Sequence, residues 1–180
     1  MMTNQPQRGG IIEPGAEAPG TIKRSREPQR GDTMSHSFAQ NHLHVVFSTE
    51  ARRGSISKEI RPNLWAYLAG IARNHGMLVS AVGGADNHIH LLLQLPADLQ
   101  LAKAILLLKS NSSKWMSERT KQFAWQKGYA ALSVSASNLA AVTRYVQNQE
   151  AHHKKMTFEQ EFLSLLKKHG VEFNPKYVLG

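Results

Sequence analysis

Residues 42–48 (HLHVVFS) alternate along the chain: Leu43, Val45 and Phe47 fall on one face, and His42, His44, Val46 and Ser48 on the other. That two-residue period predicts a first strand. From about residue 57 the period lengthens, with Ile60, Leu64, Leu68 and Ile71 on one helical stripe and Gly76 as its stop. Residues 77–81 and 88–95 predict two more strands, joined through Gly83, Gly84, Asp86 and Asn87, with Pro96 ending the second. A helix capped by Asp98 and striped by Leu101, Ile105, Leu108 and Trp115 runs to about residue 119. A fourth strand is expected over residues 123–135, interrupted at Gly128. Two helices follow, one over residues 138–152 and one opened by Thr157 with Gln160 at the reciprocal capping position and closed by Gly170.

The order is βαββαβ with two helices appended, an α+β class pointing to the ferredoxin-like, RRM-like arrangement: two helices on one face of a four-stranded antiparallel sheet, the other face open. Residues 1–33 stand apart. They hold four prolines and five glycines without Leu, Val, Phe, Tyr or Trp, so they are expected to be a disordered extension, with Met34 opening a single domain over residues 34–180.

Charge narrows the partners. The chain carries +9, of which residues 1–33 contribute +1, so the basic character belongs to the domain and favours a polyanion, nucleic acid first. There are no cysteines, so any metal must be held by His, carboxylate, amide or backbone oxygen. No apolar run nears the roughly 20 residues of a membrane span, and the first residues lack a secretory h-region, so a cytoplasmic protein with no membrane partner is expected.

Two constellations carry chemistry. His88-Ile89-His90 on a strand projects two imidazoles to one face, suited to one cation, while Ile89, Leu91, Leu93 and Leu95 point to the core. His42-Leu43-His44 repeats the pattern on strand one and is a competing pair. Tyr145 and Gln149 lie four apart on a predicted helix and so share a face at the edge of the Leu139, Val142, Val146 stripe.

In this order the motifs resemble a known family. Residues 86–93 (DNHIHLLL) are similar to the His-hydrophobic-His strand of the single-tyrosine, IS200-like HUH transposases of small bacterial insertion sequences, and residues 145–149 (YVQNQ) to their tyrosine helix. HVVFSTEARR, LKSNSSKWM, WQKGYAALSVSAS and HHKKMTFEQEF extend the resemblance over about residues 36–176, with Ala130 and Leu132 departing from the Gly and Phe expected in the fourth strand. The resemblance implies that Tyr145 is the nucleophile, that His88, His90 and Gln149 hold a divalent Mg or Mn ion, and that the product is a 5′-phosphotyrosine. It also implies single-stranded DNA with hairpins at element ends as partner, and a homodimer in which either subunit's tyrosine helix completes a site.

Arg52, Arg53, Lys109, Lys114 and Trp115 are candidate phosphate and base contacts, although Trp115 also continues a helix stripe. In this arrangement strands one and three are antiparallel neighbours, which would put the two histidine pairs at opposite sheet ends. The competing function is a non-catalytic or domesticated single-stranded nucleic-acid-binding module of RRM-like fold. Histidines rather than aromatics on strands one and three weigh against that reading. A third, a zinc hydrolase, lacks a carboxylate base near the motif other than Asp86.

Overall fold

The computed structural model describes residues 38–178, so the expected extension over residues 1–33 lies outside the described residues. Four strands, β1 (Asn41–Ser48), β2 (Leu78–Gly84), β3 (His88–Leu95) and β4 (Ala130–Ser133), form one sheet in the order β2-β3-β1-β4. Every neighbouring pair is antiparallel, with Val46 opposite His90 and Ala130, and Leu43 opposite Leu93 and Ser133.

Helices α1 (Arg61–Asn74) and α2 (Leu101–Ser117) lie on one face. They bury Leu64, Leu68, Ala104, Ile105 and Leu108 against Val45, Phe47, Ile89, Leu91 and Leu93, the set that strand alternation predicts. Each fully buried aliphatic side chain there contributes roughly 1.5–3 kcal/mol. Gly76 closes α1 at φ 72°, the left-handed stop its position implies.

The second face is not open. Three further helices, α3 (Leu139–Gln147), α4 (Gln149–His152) and α5 (Phe158–Lys168), cover it. α3 packs Val146 on Ala81 and Leu92, while α5 packs Phe158 and Leu166 on Val46 and Ala130. The physical reason is visible in β3 itself. Leu91-Leu92-Leu93 is apolar without a break, and a strand buried on both sides reads as a continuous rather than an alternating run.

Local boundaries also differ from expectation. α2 begins after Gln100 without a side-chain cap, so Asp98 does not cap it. The fourth strand spans only Ala130–Ser133, with Trp125 reaching the sheet through a single bridge to Thr49. The helix expected over residues 138–152 breaks at Asn148, whose φ −95° and ψ 16° leave the helical range, so Tyr145 and Gln149 sit on successive short helices. By contrast the Thr157/Gln160 capping box forms in full at the start of α5.

Candidate active site

The buried site lies between the second face of the sheet and the C-terminal helices. His88 and His90 leave the same face of β3 because the strand period is two, and both are wholly buried. Gln149 is buried beside them, and Tyr145, half-buried, brings its ring edge-on to His90 and His44 at centroid separations of 6.0 and 5.8 Å. The approach of α3 to β2 depends on Gly83. A Cβ there would stand 1.8 Å from the Val146 carbonyl oxygen and 3.5 Å from the Gln149 side chain, so only glycine lets the helix end sit this low on the sheet.

Two groups from the HHKKMTFEQEF segment, given no role by the sequence motifs, complete the cluster. His153 follows α4, and Glu161 projects from α5; ligand atoms of His88, His90, His153 and Glu161 lie within 4.8 Å of one another. Glu161 is 2% exposed and is the hub of the polar contacts. Its Oε1 accepts the Tyr145 hydroxyl and, at 2.9 Å, the Gln149 amide, while Oε2 faces His153 Nε2 at 2.9 Å and His90 Nε2 at 3.4 Å. The signal that could have found it is a Glu on the apolar stripe of α5 beside Phe158, where a solvated carboxylate does not belong.

The imidazoles are oriented from behind. His88 Nδ1 donates to Asn87 Oδ1 at 2.7 Å and His153 Nδ1 to the Met156 carbonyl at 3.0 Å, which aims Nε2 of each at the cluster. His90 Nδ1 lies 2.9 Å from His44 Nε2, so His44 is the matching hydrogen-bond partner of the third ring. The two His-x-His pairs are therefore not at opposite sheet ends. β1 and β3 pair Val46 with His90, which sets His44 diagonally beside His90 and carries only His42 away, opposite Gln94.

Burial dominates the electrostatics. It pushes the His44 pKa down to about 3 and His88 to about 2, and lowers His90, so all three rings are neutral and able to act as acceptors or ligands. Burial works against both members of the His153–Glu161 pair, yet their close pairing wins: His153 is raised, and Glu161 is held well below the usual carboxylate range, helped by His90 and the Tyr145 hydroxyl. Burial, then the Glu161 charge, raises the Tyr145 phenol above its ordinary value.

The donor set fits a divalent cation. His88 Nε2, His90 Nε2, His153 Nε2 and Glu161 Oε2 are buried without a well-formed hydrogen bond on residues whose ligand atoms gather within 4.8 Å, the arrangement a bound ion satisfies, and the buried Gln149 Oε1 also lacks a partner. A cleft of about 370 Å³ reaches the edge of this cluster at Tyr145 and Glu161, lined also by His44, His152, Lys168 and His169.

The five candidate DNA contacts scatter. Arg52 pairs with Glu159 of α5 at 3.0 Å, and Arg53 is exposed next to it. The Lys109 ammonium donates to the carbonyls of Gln126, Lys127 (3.1 Å) and Gly128 (3.0 Å), anchoring the loop before β4. Lys114 is exposed on α2, and Trp115 stacks on Tyr67 of α1 with Arg119 over its outer face, in the helix layer away from the cluster.

The model of the IS200-like transposase family matches residues 37–149. Transposases for insertion sequence element IS200 from Salmonella typhimurium LT2 and Salmonella typhi are each 24% identical over 126 residues, covering 65% of this chain and 82% of theirs. Among solved structures, a protein of Deinococcus radiodurans R1 provisionally assigned as a transposase superposes with TM-score 0.52 at 22% identity, over 63% of this chain and 94% of its own. A REP-associated tyrosine transposase bound to a REP hairpin superposes with TM-score 0.53 at 13% identity, over 67% and 73% of the two chains.

Proposed function

The chain belongs to the IS200-like transposase family, and from that premise we propose that it cuts and rejoins single-stranded DNA with Tyr145 as nucleophile and a divalent ion, Mg or Mn, at His88, His90 and Gln149. The observation that carries the proposal is the placement of the Tyr145 hydroxyl at the edge of a buried two-histidine cluster, opening into a cleft. The other described tyrosines have no such setting: Tyr67 stacks on Trp115, and Tyr129 and Tyr177 stand 40% and 67% exposed.

In this reading the tyrosine oxygen attacks the scissile phosphorus, the bond to O3′ breaks, and the products are a 5′-phosphotyrosine and a free 3′-hydroxyl. Attack by another 3′-hydroxyl reverses the step and rejoins DNA without an external energy source. When bound, the ion supplies Lewis-acid stabilisation of phosphate charge. His88, His90 and Gln149 hold it, while packing of α3 over Gly83 fixes the nucleophile's approach. We take the β2-β3-β1-β4 order with α1 and α2 on one face as the ferredoxin-like frame, with the C-terminal helices carrying the tyrosine.

Arg52, Arg53 and Lys114 are proposed to contact phosphates, and element-end hairpins are the proposed substrate, recognised by a homodimer. Lys109 and Trp115 serve packing in this reading. The test is a covalent-adduct assay with hairpin-bearing single-stranded DNA. Wild type with Mn should give a denaturant-stable adduct, absent with EDTA and in Tyr145→Phe, whose ring packing is preserved. An adduct that persists in Tyr145→Phe refutes this nucleophile, and none from wild type on the ends of its own element favours the non-catalytic binding module.

A further inference from the structure

We infer that His153 and Glu161 join His88, His90 and Gln149 as ligands of the metal site, making it a centre of three imidazoles, one carboxylate and one amide oxygen that takes Mn²⁺, Co²⁺ or Zn²⁺ in preference to Mg²⁺. The inference rests on the metal-dependent reading above and adds to it two residues that lie C-terminal to the matched segment, residues 37–149.

The ligand atoms of His88, His90, His153 and Glu161 all fall within 4.8 Å of one another, close to the roughly 4 Å that two opposite ligands span at bond lengths of about 2.0–2.1 Å. The three rings share one construction. Each Nδ1 is engaged, by Asn87 Oδ1, His44 Nε2 and the Met156 carbonyl, so each Nε2 is directed to the cluster. Such outer partners are how metal-binding imidazoles are usually held.

The carboxylate divides its oxygens in a way a purely structural ion pair does not require. Oε1 holds the Tyr145 hydroxyl and the Gln149 amide, while Oε2 is left facing His90 and His153. One oxygen therefore positions the nucleophile and the other is available to a cation.

Ion preference follows from donor chemistry. Mg²⁺ favours oxygen ligands and retains its water, whereas three imidazoles with a carboxylate suit Mn²⁺ and the later first-row ions. Because His153 and Glu161 come from the chain after α4 and from α5, binding would also fasten α5 to β3.

The experiment is a Co²⁺ titration of EDTA-stripped full-length protein, followed by visible absorption, with circular dichroism as the check on folding. Wild type should show ligand-field bands, unchanged by millimolar Mg²⁺. His153→Gln and Glu161→Gln should each weaken Co²⁺ binding 10-fold or more, with altered band positions, while His42→Ala binds as wild type. If Glu161→Gln proves unfolded, His153→Gln decides the matter alone. Wild-type affinity and bands in His153→Gln and Glu161→Gln, with loss in His88→Ala, would overturn the inference and leave the proposed function standing. Wild-type binding in His88→Ala and His90→Ala would instead remove the metal site of the proposed function itself. Displacement of Co²⁺ by millimolar Mg²⁺ would overturn the ion preference.

Discussion

His44 shows how much one residue's setting can change its meaning. It lines the cleft beside Tyr145, and its Nε2, 2.9 Å from His90 Nδ1, is the contact that holds the His90 ring toward the cluster. Replacing it with Ala should therefore lower metal affinity by about 10- to 100-fold, the usual effect of losing an outer partner, while His42→Ala leaves it unchanged. Equal losses in the two variants by calorimetric titration would show that His44 does not orient His90. Lys109 makes the opposite case. Its ammonium serves three carbonyls of the loop before β4, so Lys109→Met should destabilise the fold by about 1–3 kcal/mol in denaturant unfolding and leave the salt dependence of DNA binding intact. A reduced salt slope would instead make it a phosphate contact.

At the level of elements, the seating of α3 and α5 on the sheet governs the site. Gly83→Ala places a methyl group on the Val146 carbonyl, which must lift α3 together with Tyr145 and Gln149. Overpacking of this kind costs about 1–3 kcal/mol, and cleavage should fall far more than stability does, since both site residues move. Normal cleavage in Gly83→Ala would show that the close approach is dispensable. The capping box of α5 is the second control. Thr157→Ala should cost about 1 kcal/mol by loosening the first turn, four residues before Glu161, and it should do so in thermal unfolding whether or not metal is present.

For the whole molecule, burying several neutral histidines makes stability depend on pH. His44 falls to about 3 and His88 to about 2, and His90 is also lowered, whereas unfolded imidazoles titrate near 6.5. The unfolded chain therefore binds more protons below pH 6.5, and stability is lost as pH falls through that value. Glu161, held below its usual range, adds a loss of the same sign below about 4.5. His153 is raised, so its contribution is present at low pH and fades as pH rises through its folded value, opposing the others. The metal-free protein should show a Tm that drops between pH 7 and 5, and His44→Gln should flatten that slope. A Tm independent of pH in this range would mean these rings are not buried neutral.

Sequence by itself determined what is local. Strand period placed His88 and His90 on one face, helical period selected the buried stripes of α1 and α2, and Thr157, Gln160, Gly76 and Gly170 marked helix ends, because each of these depends on neighbours a few residues away. The unbroken Leu91-Leu92-Leu93 run even carried the sign of a sheet covered on both faces. Tertiary structure alone decided which distant groups meet. The register of β1 on β3 chose His44 over His42, and the docking of α5 brought Glu161 to Tyr145 and Gln149. Those meetings are set by packing between elements far apart in the chain, and no periodicity within one element records them.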